Sequence, residues 1–260
     1  MRPRVNRTKQ KLLSGEVVYG VFVTIPAPRV VELCGIAGYD YVIIDAEHGP
    51  MDFGVCENMV RAAEAANITP LIRVPSHEPK TILRYLDIGA LGIMAPQVNS
   101  AADARAVVSA VKYAPEGTRG FGPGRSARFS VGEPMSEYAA NENEQTLIIA
   151  QLENVAALDE LDEIVRTPGI DAFEIGTGDL SASMGMPGQS SRPEVQEVVS
   201  KFVKAVLDSG SVIGDTVTDG DSAIDLYDQG YRMLDTSFDS LARGALSDLR
   251  VAAVGALERR

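Results

Sequence analysis

The sequence predicts a closed (β/α)8 barrel, a single domain spanning residues 1–260. Three observations carry this: eight short β-branched apolar runs, one-sided helical segments between them, and a 260-residue length that suits eight β-then-α units. The runs are apolar throughout rather than alternating. That pattern belongs to strands buried on both faces, as in a parallel sheet covered by helices.

The first run is "VVYGVFVT" (17–24), and "PRVVELCGIAG" behind it has apolar residues at i, i+3, i+4 spacing. "YVIIDAE" (41–47) precedes the helical "VCENMVRAAEAAN", and "TPLIRVP" (69–75) precedes "EPKTILRYLDIGA". "LGIMAPQV" (91–98) leads into "SAADARAVVSAVKYA". Beyond a glycine-rich stretch, "TLIIAQLE" (146–153) is followed by "ALDELDEIVRT", and "DAFEIGTGD" (171–179) by "PEVQEVVSKFVKAVLDSG". "SVIGDTV" (211–217) and "YRMLDTSFD" (231–239) complete the set. Gly38, Gly89 and Gly210 stand where helices must stop before the next strand. A doubly wound open sheet is the competing arrangement. It is disfavoured because the first βα turn, "TIPAPR", lacks the glycines of a dinucleotide fingerprint. No linker and no break in composition divides the chain.

An apolar content of 45% supplies one substantial core, and 23% charged residues without low-complexity tracts argue against bulk disorder. The formal charge of −12 argues against a phosphate-binding surface for nucleic acid and against an anionic membrane surface. Cys34 and Cys56 form no CxxC pair, so neither a zinc knuckle nor a disulfide framework is expected. The basic start "MRPRVNRTKQKLL" is not a secretory signal, and no apolar run approaches bilayer length. The cytoplasm is the expected location.

In a barrel, reactive side chains gather at the C-terminal ends of the strands. There the sequence puts Asp45, Glu47 and His48 after the second run, Arg73 after the third, Gln151 and Glu153 on the fifth and Asp179 after the sixth. Glu153 and Asp179 end adjacent strands. Neighbouring carboxylates repel unless a cation lies between them, and an all-oxygen set suits Mg2+ or Mn2+. The alternative is that each pairs with an arginine or caps a helix, Asp179 capping "LSASMG". A histidine has an unperturbed pKa near neutrality, which suits His48 to acid–base work, and Asp45 three residues earlier is placed to hold its imidazole in one tautomer. A helix-capping histidine is the alternative. Arg73 offers a planar fork to a carboxylate, or a salt bridge to a nearby acid.

"RGFGPGRSARF" (119–129) carries three arginines, Arg119, Arg125 and Arg128, but lacks the Gly-Lys-Ser/Thr ending of a P-loop. The expectation is an anion-binding flap over the rim, with an ordinary surface loop as the alternative.

"YDYVIIDAEHGP", "LIRVP", "ILRYLDIGALGIMAPQVNSAADA", "APEGTRG", "AQLEN" and "IGTGDLSASMGMPG" together resemble the HpcH/HpaI family of class II pyruvate aldolases, over about residues 10 to 250. The resemblance implies a homo-oligomer, trimer or hexamer, with a divalent metal (Mg2+, Mn2+ or Co2+) held by Glu153 and Asp179. Arg73, Gln151, Gly176 and Thr177 would line the pocket of a 2-keto acid. His48 would belong to the base machinery, held by Asp45, and Asp87 would reach that dyad from a neighbouring subunit, so that the active site lies at an interface. The activity implied is cleavage or formation of a 4-hydroxy-2-keto acid, giving pyruvate and an aldehyde through a metal-stabilised enolate.

Two loops depart from the family pattern. "RGFGPGRSARF" adds Pro123 and Arg125, and "VFVTIPAPR" lacks the usual glycine or tryptophan. An added Arg125 suggests an acceptor with its own anion. The second reading is therefore a synthase that condenses oxaloacetate with acetyl-CoA, and the third a non-catalytic barrel that binds a keto acid. Intact Asp45, His48, Glu153 and Asp179 count against the third.

Overall fold

The computed structural model describes residues 4–132 and 134–259; residues 1–3, 133 and 260 of the predicted domain lie outside that description. A short helix α1 (Arg7–Leu13) precedes the first strand, β1 (Val18–Val23). Then come α2 (Pro28–Ile36), β2 (Tyr41–Asp45), α3 (Phe53–Ala66), β3 (Thr69–Arg73), α4 (Pro79–Asp87), β4 (Gly92–Ala95) and α5 (Ala101–Val111). The second half runs α6 (Met135–Gln145), β5 (Leu147–Leu152), α7 (Leu161–Val165), β6 (Ala172–Ile175), α8 (Thr177–Ser183) and α9 (Pro193–Ser209). It ends with β7 (Val212–Thr216), α10 (Gly220–Asp228), β8 (Met233–Ser237) and α11 (Phe238–Glu258).

The strands pair in parallel and in sequence order, and β1 closes on β8. This is the (β/α)8 barrel the sequence predicts. Its physical origin is visible in the burial: every residue of β2, β4, β5 and β6 is buried. Alternate residues face opposite ways. Val18, Tyr41, Ile43, Leu71, Met94, Ile149 and Met233 pack together as one interior cluster, while a larger cluster joins the other strand faces to the helices.

The N-terminal mouth is plugged by α1. Leu12 enters the interior cluster, the Asn6 side chain donates to the Leu91 carbonyl at 2.9 Å, and Lys9 donates to the Thr146 carbonyl at 2.8 Å. Gly38, Gly89 and Gly210 all take positive φ (94°, 110° and 78°), as helix-stopping glycines should. Cys34 and Cys56 are buried and free. Helix α11 is different from the other long helices: none of its residues is buried, and Leu246 and Leu249 are each 70% exposed.

Candidate active site

The C-terminal ends of the strands bring most of the expected residues to one rim. Register places Asp45 on β2 directly beside Arg73 on β3. Asp45 is buried and accepts Arg73 Nε at 3.0 Å on one oxygen and Nη2 at 2.6 Å on the other. The first oxygen also accepts the backbone N–H groups of Glu47 (3.1 Å) and His48 (3.2 Å), which fixes the turn leaving the strand. Burial pushes the Asp45 carboxyl up, but the hydrogen bond and charge of Arg73 and the two amides outweigh it and hold it below the ordinary aspartate range.

This corrects one expectation. Asp45 does not hold the His48 imidazole; it serves Arg73 and the turn, because the strand register puts the guanidinium closer than the ring. The imidazole is more than half exposed, and its nearest carboxylate is Glu47, with Nε2 to Oε2 at 3.9 Å. Glu47 also lies 3.4 Å from Arg73 Nε, and burial raises its carboxyl. Arg73 stacks over the Phe22 ring, 5.1 Å from the centroid.

Gln151 and Glu153 are both buried, and neither Gln151 Oε1 nor Glu153 Oε2 has a hydrogen-bond partner among the described residues. Glu153 Oε1 accepts the backbone N–H of Gln97 at 2.7 Å. Burial drives the Glu153 carboxyl up to about 7; the Gln97 amide opposes this, and the nearby charges of Glu47 and Asp179 reinforce it. Gly176 makes room for Glu153: a Cβ there would stand 2.5 Å from Oε2. Thr177 opens α8, and Asp179, in its first turn, is exposed and makes no side-chain cap. Among the described residues no group of three or more His, Cys, Asp or Glu side chains forms a metal cradle. The donor set is a pair of carboxylates with waters or ligand oxygens to add. The orphaned buried oxygens of Glu153 and Gln151 fit a hard divalent cation and an oxygen-rich ligand.

Asp87 and Arg125 lie elsewhere. Asp87 ends α4 at the N-terminal side of the barrel and pairs with Arg119 at 3.0 Å, well away from its own chain's His48 turn. Arg125 forms an ion pair with Glu64 near the end of α3 and donates to the Ile88 carbonyl at 3.0 Å. The stretch does not lie over the rim of its own chain: a segment joining a helix to the next strand returns along the N-terminal side, and this one does.

Two features were missed in the sequence. Gln97 acts through its backbone, in a left-handed conformation (φ 53°), and no residue-type signal marks it. Beneath the rim, Asp235 accepts Tyr41 Oη at 3.2 Å and Thr216 Oγ1 at 3.1 Å, with buried Glu174 against it. Burial raises both carboxyls; the charges of Asp235 and Asp215 add to it at Glu174, and that of Asp215 at Asp235, where the hydrogen bonds of Thr216, Tyr41 and Glu174 oppose it. Their in-barrel phase within "DAFEIGTGD" and "YRMLDTSFD" could have revealed them.

The family model described as HpcH/HpaI aldolase/citrate lyase matches residues 18–242. A hydroxypyruvate/pyruvate aldolase of Roseobacter denitrificans is 35% identical over 237 residues, covering 90% of this chain and 91% of its own. A 4-hydroxy-2-oxovalerate aldolase of Novosphingobium aromaticivorans is 35% identical over 253 residues, covering 96% and 95%. Among solved structures, the citrate synthase SbnG superposes with a TM-score of 0.84 at 29% identity, covering 96% of this chain and 97% of its own.

Proposed function

The chain belongs to the HpcH/HpaI aldolase/citrate lyase family, and from that membership we infer an aldolase, a carbon–carbon lyase acting on a 4-hydroxy-2-keto acid. The carbon–carbon bond breaks to give pyruvate and an aldehyde, or forms in reverse. The observation that carries this reading is Arg73: Nε and Nη2 are locked on buried Asp45, and Nη1 makes no hydrogen bond among the described residues. A guanidinium oriented in this way presents its remaining donors to a ligand carboxylate.

Arg73 binds the keto-acid carboxylate, and Gln151, Gly176 and Thr177 line the same pocket. Glu153 and Asp179 would hold a divalent cation (Mg2+, Mn2+ or Co2+), whose positive charge would stabilise the developing enolate. His48 takes the 4-hydroxyl proton in cleavage and returns it in synthesis. Asp45 positions the turn that carries the ring. Burying Glu153 and Gln151 keeps bulk water from the inner face of the pocket.

The working protein is a homo-oligomer, trimer or hexamer, in which a neighbour's Asp87 completes the site. The exposed apolar positions of α11, Leu246 and Leu249 among them, support association. Two free buried cysteines fit a reducing cytoplasm, and among the described residues no helix is long and apolar enough to cross a membrane.

The likeness to SbnG keeps a second reading in view, condensation of oxaloacetate with acetyl-CoA. The anchoring of Arg125 on Glu64 argues against it, since the added arginine was its main support. Methyl-proton exchange of pyruvate in D2O tests the enolate chemistry. Exchange that requires Mg2+, Mn2+ or Co2+ and disappears with EDTA or Glu153→Ala supports the aldolase. No exchange with metal present, or metal-independent release of CoA from acetyl-CoA and oxaloacetate, overturns it.

A further inference from the structure

The glycine-rich stretch closes a cavity of about 820 Å3 at the N-terminal end of the barrel. The start of β3 and the approach to β4 floor it through Thr69, Pro70 and Leu91, and Ile68 and Phe129 add apolar wall. Four arginines, Arg4, Arg7, Arg125 and Arg128, line it against one carboxylate, Glu64. In a chain of formal charge −12, this is a sharp local reversal of sign.

The four arginines divide into two kinds. Arg4 is tied to Glu142 at 3.3 Å and to the Gly89 carbonyl, and Arg125 to Glu64 and the Ile88 carbonyl. These two are fixed in place by the fold. Arg7 and Arg128 make no ion pair among the described residues, so their charges are free to meet a ligand. Arg128 also opens a run of three non-glycine residues in left-handed backbone (φ 49°, 54° and 61° at Arg128, Phe129 and Ser130). Such a run persists only where the surroundings impose it.

We propose that this cavity is a second ligand site, separate from the catalytic rim, that takes an organic anion with a doubly charged head on an apolar body. Two fixed and two free guanidinium groups supply a charged, multidentate head pocket. Ile68, Leu91 and Phe129 supply the surface for the rest of the molecule, the mix expected of a small-molecule site. The proposal does not depend on the aldolase reading, because none of these residues belongs to this chain's own rim.

Calorimetric titration of the whole protein, with Mg2+ and saturating pyruvate to fill the rim, tests this. The probes are phenyl phosphate and phthalate, with inorganic phosphate and phenol as comparisons. The expected result is one site per chain for phenyl phosphate or phthalate, the tighter one identifying the head group, with inorganic phosphate weaker and phenol silent. Affinity should fall about tenfold for each guanidinium removed from the anion, so about a hundredfold in Arg7→Ala/Arg128→Ala, with partial retention in Arg128→Lys. It should also weaken as ionic strength rises. The circular dichroism and pyruvate exchange of the variants should match the wild type, which separates lost binding from lost folding. Displacement of the probe by pyruvate, or equal affinity in wild type and double variant, would overturn the proposal. So would a changed oligomeric state with unchanged affinity, which would make the cavity an interface between copies.

Discussion

Replacing Arg73 with Ala leaves the buried Asp45 carboxylate without its guanidinium, and the cost can be worked out. Asp45 is 1% exposed, and the Arg73 side chain is 13% exposed. Removing one partner of such a buried pair costs ~3–5 kcal/mol, because a charge stays behind without its counter-ion. The N–H donors of Glu47 and His48 remain on Asp45, so the lower end, ~3 kcal/mol, applies. For a chain of this size that lowers the melting temperature by about 6–12 °C. The measurement is denaturant and thermal unfolding at fixed protomer concentration and fixed metal.

Two controls sharpen the reasoning. Arg73→Ala/Asp45→Asn removes the stranded charge along with its partner and should recover most of the loss, a non-additivity that a double-mutant cycle reads directly. The pH dependence should also change sign. In the wild type the folded Asp45 pKa lies below its unfolded value, so its contribution is present above about pH 3.9 and is lost as pH falls through the folded value. Without Arg73, burial alone raises the carboxyl, and stability is lost instead as pH rises. Pyruvate binding should be lost in the single and double variants alike. A single variant within about 0.5 kcal/mol of wild type, or strictly additive losses, would refute the argument.

Other expectations follow from the same geometry. Glu153→Gln should abolish the thermal stabilisation given by Mg2+ or Mn2+, which at a hundredfold excess over Kd is worth about 2.7 kcal/mol in the wild type; an unchanged upshift would remove Glu153 from the ligand set. Gly176→Ala places a Cβ 2.5 Å from Glu153 Oε2 and should weaken Mn2+ binding, followed by electron paramagnetic resonance, by about 10–100-fold; unaltered binding would show that Glu153 moves aside freely. His48→Asn should lower the cleavage rate by about 10²–10⁴-fold while pyruvate still binds, and loss of binding instead would assign the ring a different role. Glu174 and Asp235 have folded pKa values above their unfolded ones. Their contribution is therefore full below about pH 4 and is lost as pH rises through the folded values. Glu174→Gln and Asp235→Asn should flatten the fall in melting temperature between about pH 5 and 8, and parallel curves would contradict that sign.

The barrel was legible because strands buried on both faces leave uninterrupted apolar runs, and because Gly38, Gly89 and Gly210 mark the helix ends by a backbone conformation that other residues avoid. Strand ends likewise announced Asp45, Arg73 and Glu153. What strand ends cannot announce is which neighbour each side chain chooses. Asp45 lies three residues from His48 in the chain, yet the β2–β3 register sets it against Arg73, and register is a property of the sheet. Arg125 was readable in principle, since a segment between a helix and the following strand must lie at the N-terminal end. The Gln97 amide was not, because a backbone donor has no residue-type signature.

The rim and the layer beneath it explain each other electrostatically. Asp45 is answered by Arg73, which also reaches Glu47 at 3.4 Å, and Glu153 and Asp179 make no ion pair among the described residues. No relief comes from below: burial, with the charge of Asp215 added, keeps the Glu174 and Asp235 carboxyls up, and Tyr41 and Thr216 commit their hydroxyls to Asp235. The C-terminal half of the barrel is thus rich in acceptors and poor in cations at every depth. Arg73 can neutralise one carboxylate, not four. Burial together with the remaining surplus is what places a value of about 7 on Glu153, and a group balanced there gives up its proton readily to an arriving divalent cation. A keto acid brings only further negative charge. The order that follows is cation first and substrate second, and equilibrium binding of pyruvate with and without Mg2+ measures it: tight binding of pyruvate to the metal-free protein would break this chain of reasoning.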